Sequence, residues 1–395
     1  MSTAAPEADR ARLRRVVVGL AAAGVVAFGE LYGVQALLPP LARDLGVSAP
    51  DAALTQSAAA LGLALAVIPW SLLARRTGTG PALRVAVALS VVMGIVVPLM
   101  PTLELLVAVR FVHGAVIAGI PALALVHLGR TLDARQVLVA SGWYIAGTSV
   151  GGLSGRVIAA FAGDIGGWRG GLTAVSVLSL AAGIAFFLLV PMGRARVVLE
   201  PGHPLAGRSP LRDRRVWVLF GLAFLLMGSF VSTYNYLGFR LVGPLFELPD
   251  LVIGLVYLAY LFGTLSSALV GGIAARWGRR PVLAVSVLAQ LLGTALVLVP
   301  SLPVTFLGVA VLTTGFFAAH SMAAGWAAQL GDGDATPSAG YTLAYYGGAA
   351  VLGWATGLVF AAAGWPPLVL VICGLLVLAL ALSALLPRRV VSTDA

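Results

Sequence analysis

The chain has 395 residues, of which 60% are hydrophobic and only 10% charged, with a mean hydropathy of +1.00. No soluble enzyme or regulatory domain keeps its surface in water on that balance, and the length suits about a dozen membrane spans of ~20 residues. The formal charge of +10 comes with 25 basic residues, all of them arginine, and their distribution, described below, argues against a nucleic-acid partner. The single cysteine, Cys373, excludes a disulfide or a cysteine-based metal site.

Long apolar runs predict spanning helices at about 15–38, 53–73, 82–100, 103–128, 136–162, 170–191, 216–242, 251–274, 281–300, 302–328, 337–362 and 365–386. Gly and Pro mark many of the ends, among them Pro39-Pro40, Pro101, Pro191, Pro300 and Pro366-Pro367. Basic residues precede the first run, as in a signal peptide. The run exceeds 20 residues and no small-residue cleavage site follows, so it reads as an uncleaved first span.

With the N-terminus inside, 20 arginines fall in cytoplasmic segments and two, Arg43 and Arg169, in outer ones. Arg110, Arg156 and Arg240 lie within spans. A wrong span count would scramble that alternation, so it supports twelve spans with both termini cytoplasmic. One segment departs: 329–337 holds only Asp332 and Asp334. The expectation is an all-α integral membrane protein of twelve transmembrane helices in two six-helix bundles. A tail at 1–14 leads into a bundle at 15–192, a linker at 193–215, a second bundle at 216–386 and a tail at 387–395.

A basic stretch occurs twice, 200 residues apart, as Ser71–Leu83 and Gly271–Leu283. Ala74, Arg76, Gly78, Pro81, Leu83, Val85 and Val87 match Ala274, Arg276, Gly278, Pro281, Leu283, Val285 and Val287, seven identities in fourteen positions. Each copy lies between the second and third spans of its half. An internal duplication in a membrane chain points first to a transporter, because a pathway between two similar bundles can open to either side.

That 6+6 plan with a basic motif in loops 2–3 and 8–9 resembles the major facilitator superfamily across essentially the whole chain. The family pattern G-x-L-A-D-R-x-G-R-R is matched by Gly271–Arg280, with Ala275 in place of the acid. In the first copy Arg75 replaces the acid and Thr79-Gly80 the basic pair. Leu31–Pro39, Gly119–Leu125, Gly151–Arg156 and Tyr234–Arg240 are similar to a narrower branch, the YnfM-type bacterial exporters related to drug/proton antiporters. The resemblance implies proton-coupled export of a small amphipathic or drug-like molecule; uptake by symport or uniport is the alternative on the same fold. Its partners would be a small-molecule substrate, protons and membrane lipid, in a chain working as a monomer without a cofactor.

Glu30 is the acid deep in a span, ~15 residues or about 22 Å along the first helix. Arg110 and Gly114 in the fourth span fit the family pattern R-x-x-x-G, which the resemblance ties to proton coupling, and His113 stands one turn away. These three, Glu30, Arg110 and His113, are the proton-coupling candidates, because a charge in hydrocarbon is costly and its protonation follows its surroundings. Tyr32, Gln35, Tyr144, Asn235 and Tyr236 are candidate substrate contacts. In the fifth span Gly147, Gly151 and Gly155 permit close helix packing; the stretch resembles the antiporter motif G-P-x-x-G-G, with Thr148 for Pro. Arg156 and Arg240 come out near the outer face, to snorkel, to latch or to attract anions. Arg75, Arg76, Gly78, Arg276, Gly278, Arg279 and Arg280 carry the loop motifs, whose latch is expected to use Asp133 or Asp213 in place of the lost acids. No His/Asp/Glu cluster has metal spacing. An integral-membrane enzyme lacks a nucleophile–base cluster, ATP hydrolysis lacks any Lys for a phosphate loop, and a sensor lacks a sizeable soluble loop.

Overall fold

A computed structural model describes residues 4–132, 134–190, 210–331 and 334–387. Among these the chain is helical almost throughout. The helices are α1 (Ala4–Tyr32), α2 (Leu38–Leu45), α3 (Ala49–Thr77), α4 (Thr79–Val96), α5 (Leu103–Ile117), α6 (Gly119–Thr131), α7 (Ala134–Leu189), α8 (Arg214–Val242), α9 (Asp250–Val256), α10 (Tyr260–Trp277), α11 (Arg279–Leu296), α12 (Leu302–Leu330), α13 (Thr336–Ala363) and α14 (Trp365–Ser383).

Ten stretches among the described residues are long and apolar enough to cross a membrane. One of them, Ala140–Leu189, holds two helices that meet at Gly167. Adding α11, which opens on two arginines, gives the twelve rods expected from the sequence. The described chain is an all-α membrane protein.

The rods differ from expectation at their ends, for local reasons. Pro39 and Pro40 do not stop the first rod. A 3₁₀ stretch, Gly33–Leu37, joins α1 to α2, and both prolines occupy the first turn of α2, where an amide hydrogen has no helical partner to lose. The fourth rod breaks at Ala118, with Pro121 in the first turn of α6. The loop expected at 163–169 shrinks to a single residue, Gly167, at φ 64° and ψ −173°. Gly364 turns α13 into α14 in the same region, at φ 81° and ψ −166°. That region is essentially closed to any residue with a Cβ.

The duplication is visible in the backbone. Gly78 sits at φ 93° and ψ 153°, and Gly278 at φ 89° and ψ 151°. Both amides donate to the carbonyl four residues back, Ala74 and Ala274, at 2.9 Å in each case. Leu83, Val87, Leu283 and Val287 are all buried in the following helix.

The chain divides into two compact units, Met1–Leu45 with Ala58–Glu200, and Gly46–Ser57 with Pro201–Ala395. In the first, α1 and α7 meet backbone to backbone. A Cβ on Gly147 would lie 2.4 Å from the Ala21 carbonyl oxygen, one on Gly151 2.6 Å from Val25 Cα, and one on Gly155 2.6 Å from Gly29 Cα. The glycine ladder read from the sequence is therefore a helix-packing seam. In the second unit α8 and α13 meet in the same way at Gly348, where a Cβ would fall 2.1 Å from the Phe224 carbonyl oxygen.

Candidate functional site

In the first unit α1 ends where its hydrogen bonding tightens into the 3₁₀ stretch, leaving carbonyls that the α-helix no longer uses. Arg110 of α5 takes two of them. Its Nη1 donates to the Glu30 carbonyl oxygen at 2.9 Å and its Nη2 to the Leu31 carbonyl oxygen at 2.7 Å. The planar guanidinium suits two adjacent acceptors. His113 Nδ1 lies 3.5 Å from Arg110 Nη1. Arg110, His113 and Glu30 are all buried, so the sequence-predicted triad is one cluster.

The Glu30 carboxyl itself packs on α4. A Cβ at Gly94 would fall 2.2 Å from Oε1 and 3.0 Å from Oε2, so only glycine leaves it room. The Ser179 hydroxyl of α7 lies beside it, the Arg110 charge acts on it, and no hydrogen bond of normal geometry reaches Oε1. One turn earlier in α7, the Ser176 hydroxyl donates to the Gly94 carbonyl at 2.7 Å. Gly94, Ser176 and Ser179 escape sequence reasoning because small residues in apolar spans read as plain packing.

A second group lies in the same unit. Arg156 Nε donates to Gln35 Oε1 at 2.9 Å, its Nη1 donates to the Gly152 carbonyl at 2.7 Å, and its guanidinium lies 4.3 Å from the Tyr32 ring centroid. Arg156 is only 1% exposed, so it does not snorkel. Amide, ring and carbonyl together replace the water it would otherwise seek. Tyr144 is also buried, and its hydroxyl has no hydrogen-bond partner among the described residues.

The second unit holds no such charge cluster among its described residues; it holds aromatic rings. Phe230 stacks on Phe316 at 3.9 Å between centroids, and Tyr234 stacks on Tyr257 at 5.3 Å. Tyr234 Oη pairs with Thr313 Oγ1 at 2.7 Å. His320 stacks on Phe316, lies 4.4 Å from the Tyr345 ring and bonds Tyr341 Oη at 3.0 Å. The convergence of Tyr234 and His320 with these rings from α8, α12 and α13 is a tertiary fact.

Other candidates lie apart. Asn235 Nδ2 and Tyr236 Oη both donate to the Gly353 carbonyl of α13, at 3.3 and 2.9 Å. The Tyr236 hydroxyl occupies the space a Cβ on Gly357 would need. Arg240 is half-buried, with Nη2 3.3 Å from the Leu298 carbonyl and the guanidinium 5.2 Å from the Trp365 ring. In the loops Arg75, Arg76 and Arg276 are exposed, and Arg279 bonds Gln329. Asp133 lies outside the described residues. Asp213 caps α8 and pairs with Arg215 at 2.6 Å, which holds its carboxyl below the usual carboxylate range. Among the described residues no group of His, Cys, Asp and Glu could hold a metal ion.

Comparison with known proteins gives the family and the fold. Residues 20–332 match the profile of the Major Facilitator Superfamily. The chain is 33% identical over 381 residues to the inner membrane transport protein YnfM of Escherichia coli (strain K12), covering 95% of this chain and 91% of that one. It is 29% identical over 387 residues to the MFS-type transporter YybF of Bacillus subtilis (strain 168), covering 96% and 95%. Among solved structures it resembles a mutant of the nucleoside transporter NupG, with TM-score 0.74 at 14% identity over 93% of this chain and 99% of that one. A bacterial homolog of the human lysosomal transporter Spinster, inward-facing and occupied, gives TM-score 0.70 at 16% identity over 94% and 96%.

Proposed function

The chain belongs to the major facilitator superfamily, whose members move small molecules across membranes by alternating access, and from that premise we propose that it is a proton-coupled exporter of small amphipathic molecules. The observation that carries this reading is the Glu30 carboxyl, buried in a span with Oε1 unbonded while Arg110 is anchored to the backbone beside it. An intramembrane acid is expensive and persists where it does work. Arg110 is tethered to the carbonyls of α1, so its charge stays in place whether or not Glu30 carries a proton. Glu30 then takes up a proton on one side and releases it on the other as its surroundings change, with His113 next in line to pass it on.

In this reading the bundles are 15–192 and 216–386, joined by the 193–215 linker, and the chain works by alternating access in the cytoplasmic membrane with both termini inside. Tyr32, Gln35 and Tyr144 are the substrate-contact candidates of the first unit; Asn235 and the Phe230–Phe316 stack are those of the second. Tyr236 serves α8–α13 packing instead. The buried Arg156 ties α7 to the 3₁₀ stretch and so stiffens the outer end of the first rod.

Proteoliposomes with an imposed pH gradient test the proposal, with ethidium and tetraphenylphosphonium as probes. Wild type should expel the probe against its gradient with counterflow of protons, and Glu30→Gln should abolish the gradient-driven component while leaving passive exchange. Full proton-driven transport by Glu30→Gln sinks the coupling role, and accumulation in the opposite sense identifies uptake.

A further inference from the structure

The second copy of the repeated motif adjoins a groove that lies apart from the charged cluster at Glu30. It has a volume of about 480 Å³ and runs between α10 and α11, with Thr314 and Ala318 of α12 as its floor. That is within the ~300–1,000 Å³ typical of ligand pockets. Its walls are apolar, and Leu265, Leu269, Val285 and Trp277 are each more than half exposed along it. The three hydroxyls on its lining are spent on backbone. Ser266 bonds the Gly263 and Thr314 carbonyls at 2.8 and 3.0 Å, Ser286 that of Val282 at 2.8 Å, and Thr314 that of Ala310 at 2.8 Å. With those protons used, the lining offers a ligand no free donor and few acceptors, and a hydrocarbon chain loses little by lying there.

One end of the groove is strongly charged. Trp277 and Pro281 line it, and Arg276, Arg279 and Arg280 flank them in the chain. No acidic residue occurs between Asp250 and Asp332, because Ala275 stands where the family pattern has its acid. Arg276 and Arg280 make no hydrogen bond or ion pair with a described residue, and Arg279 bonds only the neutral Gln329. The two arginines opening α11 add to the positive end of its dipole instead of offsetting it. An apolar trough ending in three guanidinium groups with no acidic partner among the described residues is complementary to a molecule with a hydrocarbon tail and an anionic head.

We propose that this groove binds an anionic phospholipid, one acyl chain lying between α10 and α11 and the headgroup phosphate held by Arg276, Arg279 and Arg280. Guanidinium groups bond phosphate oxygens in a bidentate fork, and each basic residue near an anionic membrane surface gives on the order of a five-fold preference. Trp277, 77% exposed at the charged end, reports the event directly.

The test uses the full chain in nanodiscs of phosphatidylcholine, titrated with phosphatidylglycerol carrying brominated acyl chains, which quench nearby tryptophan. Brominated phosphatidylcholine provides the reference. Wild type should show quenching that favours phosphatidylglycerol by at least about five-fold, one arginine's worth. Trp277→Phe should remove the preferential component, leaving the quenching of the other tryptophans. The triple change Arg276→Gln, Arg279→Gln, Arg280→Gln should bring the two lipids to parity with Trp277 still quenched, which also shows that the variant is folded and inserted. Ala318→Leu, which raises the floor, should weaken quenching by both lipids. Equal quenching of wild type by the two lipids overturns the proposal, and so does a preference that survives either Trp277→Phe or the triple change.

Discussion

Gly94→Ala adds one methyl group against the proposed proton carrier. The new carbon would lie 2.2 Å from Glu30 Oε1, 2.6 Å from Cδ and 3.0 Å from Oε2, where ordinary contact begins at 3.4 Å. The carboxyl must therefore retreat by about 1 Å in a site where Glu30 is 4% exposed. Overpacking of this kind costs about 1–3 kcal/mol, and alanine returns roughly 0.5–1 kcal/mol over glycine within a helix. The net expectation is a loss of about 0.5–2 kcal/mol, read by thermal unfolding in detergent. In a Glu30→Ala background the clash partner is gone, so the same change should be neutral or stabilising. That difference is a coupling of about 1–3 kcal/mol, within the range of contacting residues. In proteoliposomes Gly94→Ala should lose gradient-driven transport as Glu30→Gln does, although every ionisable group is still present. Equal destabilisation by Gly94→Ala in both backgrounds would refute the placement of the carboxyl on Gly94.

Gly78→Ala and Gly278→Ala should each cost on the order of 1–3 kcal/mol, because both positions lie in the region open essentially to glycine. Thermal unfolding of the two variants should agree closely, and a loss at only one would break the equivalence of the repeats. Asp213→Ala should destabilise α8 by about 1 kcal/mol at pH 7 as its cap is lost. The Asp213 carboxyl is depressed in the folded state, so its contribution is complete above the ordinary carboxylate range and disappears as pH falls through the lowered value. The gap between wild type and Asp213→Ala should therefore close in acid. Phe230→Ala removes a ring stacked on Phe316 and touching Tyr234, Tyr260 and Phe317, at about 3–5 kcal/mol. Phe230→Leu, which keeps volume without the π face, should hold the fold and lower the affinity for planar aromatic probes in a binding titration.

The architecture was legible because a bilayer imposes its own grammar. Span length, arginine asymmetry and a 200-residue repeat each bear on the count of rods independently. The site was legible where a single residue is conspicuous in hydrocarbon, as Glu30 and Arg110 are, and their shared depth brought them together correctly. It was illegible wherever function is delegated to backbone. Nothing in the sequence says that Arg110 would bond the carbonyls of Glu30 and Leu31, since those carbonyls are released only by the 3₁₀ stretch that follows. Gly94 reads as one glycine among 48. Arg156 was legible in its depth along the helix but not in its surroundings, where Gln35, Tyr32 and the Gly152 carbonyl supply an internal substitute for water.

What the two halves keep and what they change separate cleanly. They keep the positions where the backbone has no alternative. Gly78 and Gly278 share one turn, and Gly167 and Gly364 share another, each of the latter followed by a buried tryptophan, Trp168 and Trp365. They change the side chains that face the interior. Counted from Arg15 and Arg215, Glu30 corresponds to Phe230. One helix thus carries an acid beside an anchored guanidinium, and its counterpart carries a ring stacked on Phe316. The first arrangement can change charge with a proton, and the second offers flat apolar faces that a proton leaves untouched. Under the proposed function the proton site belongs to the first half alone while substrate contacts come from both, so the half that carries the aromatic stack takes part in binding and not in proton exchange.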